Sequence, residues 1–532
     1  MMDVELNSWM LFRNAERSYR DVEIVTQLDA EERHRYTYAS MADRVRRLIS
    51  ALDALKIPRD TAVGTLAWNS FEHLECYFGI PNSTRVIHTI NSRLPAEDLA
   101  YIINDAGDQA LFVAPTMLEL VSKILPDLPE VKHVISFGKP AVAIPGLISY
   151  EELLASVDPF EGELDIPESS PFGMCYTSGT TGRPKGVLFT HRSTTLHSMA
   201  ISGGPGIGIS ASDCVLPIVP MFHVNAWGLP FSAVSGGAKI AFSTPTFQPA
   251  TVIRLIREEA VTKAAGVPTI WIAVLDELRR SGGDLGELAE LICGGAQPPA
   301  SLIRAYLEEY GVSMLQAWGL TESSPVATTT RLPHRLRNAS IDEKVEFSSR
   351  AGKPVVGIEL ALLDKDGRPA PRDGSTMADI YLRGPWVIDS YLHNADPDAF
   401  KVPGWFKTGD VGVVEPNGLL RLVDRSKDLI KSGGEWISSV SLESALMGHP
   451  KIIEAAVVAY SHDRWQERPL AVVVPFPGET VTLEEVRKFL ESEGIPRWQL
   501  PDRVVFVPEI PRTSVGKFDK KLLRGQYGEE IN

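Results

Sequence analysis

Between Tyr176 and Val187 the chain reads YTSGTTGRPKGV, with three glycines, three threonines, a serine and two cations directly after the apolar run FGMC. These residue types suit an anion. Glycine lets backbone N–H groups approach a ligand closely, hydroxyls add donors or a metal ligand, and Arg183 and Lys185 supply positive charge. Polyphosphate is the anion this composition predicts. The spacing nevertheless differs from the ordinary nucleotide loop, because Lys185 follows Pro184 and precedes Gly186 rather than Ser or Thr. A P-loop kinase or GTPase is excluded on that ground, while a solvated turn of the same composition stays open. Four further stretches carry groups capable of chemistry: QAWGLTESSP (Gln316 to Pro325), GWFKTGD (Gly404 to Asp410), KSGGEWISS (Lys431 to Ser439) and PRTSVGKF (Pro511 to Phe518). Each alone is more often just a loop, by about three to one.

The elements that must position these stretches alternate along the chain. AVGTLAW, VIHTI, ALFVA and HVISF are short β-rich runs separated by helical segments such as PAEDLAYIINDAG. After the glycine loop the rhythm returns with CVLPIVP, KIAFS, AAGVP and LICGG. Such alternation predicts an α/β fold of helix-covered parallel sheets, whose ligands bind beyond the carboxyl ends of the strands. IYLRG, VGVVE and LLRLVD then follow closely with turn signals such as PNG, which predicts a small antiparallel or barrel-like section. Beyond DRSKD (Asp424 to Asp428) the style becomes a compact α+β mixture, with AAVVAY, LAVVVPF, the helix LEEVRKFLESEG and RVVFV. The expected division is 1–424, a junction at 425–428, and a small C-terminal domain over 429–532.

Composition narrows the function classes. At 532 residues the chain holds several domain-sized units, and its 44% hydrophobic and 23% charged content is ordinary for a globular protein. A net charge of −15 disfavours a nucleic-acid partner or an anionic membrane surface. No apolar run is long enough for a membrane span, and MMDVELNSWML lacks the features of a signal peptide. Cys76, Cys175, Cys214 and Cys293 are scattered in apolar contexts, which predicts reduced, buried thiols and a cytoplasmic setting.

Taken as an ordered set, YTSGTTGRPKG, PMFHVNAWG, CGGAQPP, QAWGLTE, YLRGPWV, WFKTGD, DRSKDLIKSGGEWIS and PRTSVGK resemble the motif series of the adenylate-forming superfamily, specifically its AMP-forming acyl-CoA synthetases. The resemblance runs over roughly residues 10 to 525, far more than a lone short pattern could cover. PMFHVNAWG and SGGEWISSVSLE look most like the fatty-acyl-CoA synthetase branch, which also contains ligases for smaller acids such as methylmercaptopropionate. The resemblance implies ATP, Mg²⁺ and coenzyme A acting on a carboxylic acid, most simply a medium- to long-chain fatty acid. It implies two half-reactions through an acyl-adenylate, a mobile C-terminal domain, and a homodimer.

Site residues follow from the same resemblance. Thr177, Ser178, Gly179, Thr180, Thr181, Gly182 and Lys185 would cradle the ATP phosphates, and Thr177 with Glu322 would hold the metal. Gly294, Gly295 and Ala296 would line one side of the adenine, and Gln316, Ala317, Trp318 and Gly319 the other, with Trp318 stacked on the base. Thr321 would touch the α-phosphate, Asp410 would accept from the ribose hydroxyls, and Arg425 would support that ribose. His223, Val224, Trp227 and Gly228 would border the acyl group, with Trp227 as a gate. His223 and Trp227 are four apart and would share a face if the segment were helical. Lys517 would reach the carboxylate and α-phosphate during adenylation, Lys427 would be the hinge, and Lys431, Gly433, Gly434, Glu435 and Trp436 would meet coenzyme A.

Two points depart from or compete with this reading. In GIPNSTRVIHTIN the residues Pro81, Asn82, Ser83 and Arg85 stand where the family usually carries small residues, which questions local packing but not catalysis. A luciferase-like oxygenase shares the motifs, an amino-acid-activating module would need an Asp near FHVNAWG, and a catalytically dead binding protein is opposed by Lys185, Glu322, Asp410 and Lys517.

Overall fold

Short strands that are buried on both faces need helices above and below them, and the chain supplies both. The structure, a computed structural model, describes residues 2–140, 142–177, 183–364, 366–513 and 518–528. A seven-stranded sheet runs Ile148–Ser149, His133–Ser136, Ala110–Val113, Ala62–Leu66, Val86–Thr89, Pro171–Thr177, Lys185–Thr190 from edge to edge. Its pairings are parallel except the last, where Thr177 opposes Lys185 across the hairpin. A nine-stranded sheet runs Lys353–Pro354, Val326–Thr329, Ser313–Gly319, Glu290–Cys293, Lys263–Gly266, Cys214–Pro217, Lys239–Phe242, Glu23–Gln27, Arg33–Thr37. Its centre is parallel and its margins antiparallel.

The period-2 alternation of side chains assigns each strand to two cores. In Ala110–Val113, Ala110 and Phe112 enter a core shared with the nine-stranded sheet, whereas Leu111 and Val113 join an outer core with Leu99, Ile103 and Val121. The shared core is aromatic at its centre: Tyr77 stacks on Phe231 at 5.2 Å, and Phe172 meets Phe231 edge-on at 5.3 Å. Helices Pro249–Glu258, Pro268–Ser281 and Ala300–Tyr310 cover the far face of the nine-stranded sheet. The carboxyl ends of Pro171–Thr177, Cys214–Pro217, Glu290–Cys293 and Ser313–Gly319 are therefore where loops from both sheets meet.

The departure at Pro81–Arg85 packs without an unpaired charge. Pro81 sits in the last turn of helix Phe71–Asn82, and the buried Arg85 guanidinium donates to the carbonyls of Ile57 and Ser83 while pairing with Asp53 at 2.7 Å. The four cysteines are free and buried.

Residues 359–425 add an antiparallel four-stranded meander, Glu359–Leu363, Ala378–Arg383, Phe406–Val414 and Leu420–Arg425. A five-stranded, mostly antiparallel sheet follows, built around Ile452–His462 and Gln466–Pro475. Ala455 and Val457 face helices Ser439–Leu446 and Leu483–Ser492, whereas Ala456 and Val458 face Ile510 and Leu523 on the other side. At the junction, Asp424 accepts from Ser439 N and Oγ, both at 2.6 Å. Lys520 reaches the same Ser439 at 2.6 Å and pairs with Glu443 at 2.7 Å, and Arg524 pairs with Asp428. Among the described residues, no helix is long and apolar enough to cross a membrane.

Candidate active site

The hairpin that begins YTSGTTGRPKG leaves the seven-stranded sheet at Thr177 and re-enters it at Lys185. Ser178, Gly179, Thr180, Thr181 and Gly182 lie outside the described residues, as does Lys517. Both flanks of the hairpin are fixed. The Tyr176 hydroxyl donates to Asp105 at 2.7 Å, and the Arg183 guanidinium lies over the Tyr101 ring at 4.8 Å. Lys185 Nζ donates to Asp396 Oδ2 at 2.6 Å and sits 4.5 Å from the centre of the Tyr391 ring.

The second flank comes from the nine-stranded sheet. Strand Ser313–Gly319 ends in a bulge between Trp318 and Gly319, where a Cβ on Gly319 would fall 1.7 Å from the carbonyl oxygen of Pro325. Only glycine fits there. The chain then turns tightly through Thr321–Ser323, held by Ser323 Oγ donating to Leu320 O at 3.1 Å and Pro325 O at 2.5 Å. This turn buries Thr321 and Glu322 at the strand end, and Tyr391 donates its hydroxyl to Glu322 Oε1 at 2.5 Å. Burial and the Glu322 carboxylate both push the Tyr391 phenol well above its ordinary value, so it acts as a donor.

The four-stranded meander delivers the third group. Asp410 lies within strand Phe406–Val414 and is buried; its Oδ2 accepts from Trp318 Nε1 at 3.1 Å and its Oδ1 pairs with Arg425 Nε at 2.8 Å. The indole of Trp318 thus has a polar task beside any stacking by its ring. Arg425 also donates to Thr408 O at 3.3 Å, which fixes the guanidinium from the other side.

The segment PMFHVNAWG does not form the right-handed helix that would put His223 and Trp227 on one face. His223 is extended (φ −105°, ψ 103°), and Val224, Asn225, Ala226, Trp227 and Gly228 follow with φ of 40°, 56°, 48°, 59° and 74°. Left-handed backbone costs roughly 1–2 kcal/mol per non-glycine residue, so packing must hold this turn. Asn69 anchors the preceding stretch by accepting from Met221 N at 2.6 Å and donating to Pro217 O and Val219 O. The Cys175 thiol donates to Asn225 Oδ1 at 3.8 Å. His197 packs on Gly228, where a Cβ would fall 2.7 Å from Cε1, and its Nε2 accepts from Val326 N at 3.2 Å. Burial lowers the His197 pKa to about 3, which keeps the ring neutral for that role.

The left-handed turn swings the Trp227 indole onto the segment that would line the adenine. A Cβ on Gly294 would lie 3.0 Å from Trp227 Cη2 and 2.9 Å from Ala317 O. Gly294 is buried, whereas Gly295 and Ala296 are exposed; Gln316 and Ala317 are buried in the adjacent strand. Gln316 Oε1 has no hydrogen-bond partner.

The structure brings Thr177, Lys185, Glu322, Trp318, Asp410, Arg425, Gly294 and Trp227 to the facing ends of the sheets. It puts Lys431, Gly433, Gly434, Glu435 and Trp436 elsewhere, in the hairpin of the C-terminal sheet. Gly433 and Gly434 adopt φ of 60° and 93° there, Trp465 packs against Gly433, and Lys431 lies over Trp436 at 5.8 Å. Lys427 is exposed; partial desolvation lowers its pKa, against the pull of Asp428, and Arg425 and Arg524 add to the lowering. Tyr391 and Asp396 are the contacts that sequence reasoning missed. They lie between two recognised motifs, and nothing in spacing links Asp396 to a lysine 211 positions earlier.

Among the described residues, no group of three or more His, Cys, Asp or Glu is placed to hold a metal. The oxygen donors Thr177 and Glu322 instead suit a hard cation that keeps most of its ligands as phosphate and water.

The chain matches the AMP-binding enzyme family over residues 11–392 and the AMP-binding enzyme C-terminal domain over residues 441–517. It is 46% identical to a long-chain-fatty-acid–CoA ligase of Thermus thermophilus, over 99% of this chain and 96% of that protein. It is 42% identical to a 3-methylmercaptopropionyl-CoA ligase of Ruegeria lacuscaerulensis, over 100% of this chain and 99% of that one. An anthranilate CoA ligase solved with anthranoyl-AMP superposes with a TM-score of 0.88 at 25% identity, covering 99% of this chain and 98% of the other.

Proposed function

From the premise that this chain belongs to the AMP-binding enzyme family and is an AMP-forming acid–thiol ligase, we propose that it joins medium- to long-chain fatty acids to coenzyme A in two steps at the facing ends of its sheets. In the first step the acid carboxylate attacks the α-phosphorus of ATP and pyrophosphate leaves. In the second the thiol of coenzyme A attacks the acyl carbon and AMP leaves. The observation that carries this reading is the convergence of Lys185, Glu322 and the Trp318–Asp410–Arg425 triplet from three separate sheets.

Each group has a task that its chemistry fits. Lys185, with the loop 178–182, binds the ATP phosphates as a point charge. Thr177 and Glu322 would hold Mg²⁺, which would offset negative charge on the phosphates. Asp410 accepts both ribose hydroxyls, and Trp318 and Arg425 fix the orientation of its carboxylate. Trp318 covers one face of the adenine and Gly294–Ala296 the other, with Gln316, Ala317 and Gly319 in the wall. Thr321 donates to the α-phosphate. Lys517 adds positive charge where the transition state gains negative charge on the α-phosphate oxygens. His223 and Val224 flank the acid carboxylate, and Trp227 with Gly228 closes the acyl channel.

The same reading makes residues 1–424 the ATP- and acid-binding unit, 425–428 a hinge centred on Lys427, and 429–532 a unit that presents two faces in turn. Lys517 serves the first face, and the Gly433–Gly434 turn with Lys431, Glu435 and Trp436 serves the second, at coenzyme A. Its setting is the cytoplasm, and it assembles as a homodimer.

A second reading takes a short sulfur-containing acid as substrate; it is favoured by the 42% identity to the methylmercaptopropionyl-CoA ligase. Thioester formation from a panel of acids of rising chain length, with 3-methylmercaptopropionate included, separates the two. A kcat/KM maximum at medium or long chains supports the first reading, and a maximum at the sulfur acid supports the second.

A further inference from the structure

We infer that Tyr391 is the positioning residue that sets the metal carboxylate and the phosphate cation relative to one another; this rests on the roles proposed above for Glu322 and Lys185. Its hydroxyl donates to Glu322 Oε1 at 2.5 Å, and its ring face lies 4.5 Å under Lys185 Nζ. Glu322 arrives from the nine-stranded sheet and Lys185 from the seven-stranded sheet. These two charges belong to different structural layers, and one side chain touches both.

The geometry of Tyr391 is itself fixed. The residue is buried, and its ring packs edge-on against Phe400 at 5.8 Å and against Phe406 at 6.5 Å. The hydroxyl donates to Oε1, so the hydrogen bond orients the carboxylate without adding a competing charge. The π-face attracts the Lys185 ammonium, while Asp396 holds the same ammonium from the side at 2.6 Å. The two contacts use different parts of the ring system and are chemically separable. The hydroxyl serves Glu322, and the ring serves Lys185.

Three substitutions exploit that separation. Tyr391→Phe removes the hydroxyl and keeps the ring, Tyr391→Leu removes both, and Asp396→Asn loosens only Lys185. Mn²⁺ affinity is read by electron paramagnetic resonance of the free ion, in the presence of enzyme and a non-hydrolysable ATP analogue, beside the KM for ATP at saturating metal. Tyr391→Phe is expected to weaken Mn²⁺ binding by about tenfold, the scale of one hydrogen bond to a charged group, with little change in KM for ATP. Tyr391→Leu weakens both, and Asp396→Asn raises KM for ATP alone. Thermal unfolding of each variant reports whether it folds, and Tyr391→Phe, which keeps the packing, decides the matter if Tyr391→Leu does not. Glu322→Gln and Lys185→Met serve as reference variants. Wild-type metal and ATP affinities in these two would remove the site roles themselves and the inference with them. Large losses in both, combined with wild-type Mn²⁺ affinity in Tyr391→Phe, would overturn the positioning role alone.

Discussion

Replacing Asp410 with asparagine tests how the ribose end of the site is built. In the structure each carboxylate oxygen faces a donor: Trp318 Nε1 at 3.1 Å on Oδ2 and Arg425 Nε at 2.8 Å on Oδ1. An asparagine has one carbonyl oxygen and one NH₂ group, so whichever way it is turned, one donor faces another donor. A buried donor left unsatisfied costs ~1–3 kcal/mol, and the lost charge on the Arg425 pair adds to it. The same oxygens are those proposed to accept the ribose hydroxyls. Expressed in ATP binding, that range corresponds to a rise in KM for ATP of about 5- to 150-fold, with the KM for the acid nearly unchanged. Trp318→Phe removes the indole N–H while keeping a smaller aromatic ring, and the lost hydrogen bond is expected to cost ~0.5–1.5 kcal/mol. Because the two residues share one hydrogen bond, the double variant Asp410→Asn/Trp318→Phe should lose less than the sum of the single losses. The assay is acid-dependent pyrophosphate release at varied ATP, with isothermal titration of ATP as the equilibrium check. A KM for ATP within twofold of wild type in Asp410→Asn, or strict additivity in the double variant, would refute this reasoning.

Trp227→Ala should shift the preference of kcat/KM among acid chain lengths, and it should also raise KM for ATP several-fold, because the indole buttresses Gly294; two acids and an ATP titration measure both effects. The His197 pKa is lowered from its ordinary 6.5 to about 3, so its contribution to stability, ~5 kcal/mol from ~1.4 kcal/mol per unit, is complete above pH 6.5 and is lost as pH falls towards 3. The unfolding midpoint should fall accordingly, together with smaller contributions from His73 and His191, whose pKa values are each lowered to about 4, and His197→Gln should flatten the slope in thermal melts from pH 7 to 4. Lys427→Pro should impair thioester formation from a supplied acyl-adenylate far more than it impairs adenylate formation, and Lys517→Ala should do the reverse; equal losses in both half-reactions would argue against an alternating C-terminal unit.

Much of the fold is legible in the sequence because its strands are short, apolar and separated by capped helices. AVGTLAW, VIHTI, ALFVA, HVISF, CVLPIVP, KIAFS, AAGVP and LICGG all contain strands. What the pattern leaves open is which sheet each strand joins. Glu23–Gln27 pairs with Lys239–Phe242, more than 200 positions away, and no local signal specifies such a partner. The motif residues converge because they sit at strand ends, where an α/β fold gathers its loops. The conformation of FHVNAWG was not legible. Of the five left-handed residues only Asn225 and Gly228 are of types that favour that region, so valine, alanine and tryptophan are held there by side chains from elsewhere, Cys175 and His197 among them. Tyr391 and Asp396 were hidden for a similar reason, since their partners Glu322 and Lys185 are distant in the chain.

The central claim is that the acid carboxylate attacks the α-phosphorus of ATP before the thiol attacks the acyl carbon. Oxygen labelling tests it directly. A fatty acid carrying ¹⁸O in both carboxylate positions is incubated with ATP, Mg²⁺ and coenzyme A, and the nucleotide and inorganic products are analysed by mass spectrometry. The bridging oxygen of an acyl-adenylate departs with AMP, so the account predicts one labelled oxygen in AMP for each thioester formed and none in pyrophosphate. Unlabelled AMP, or label in inorganic phosphate or pyrophosphate, would contradict it.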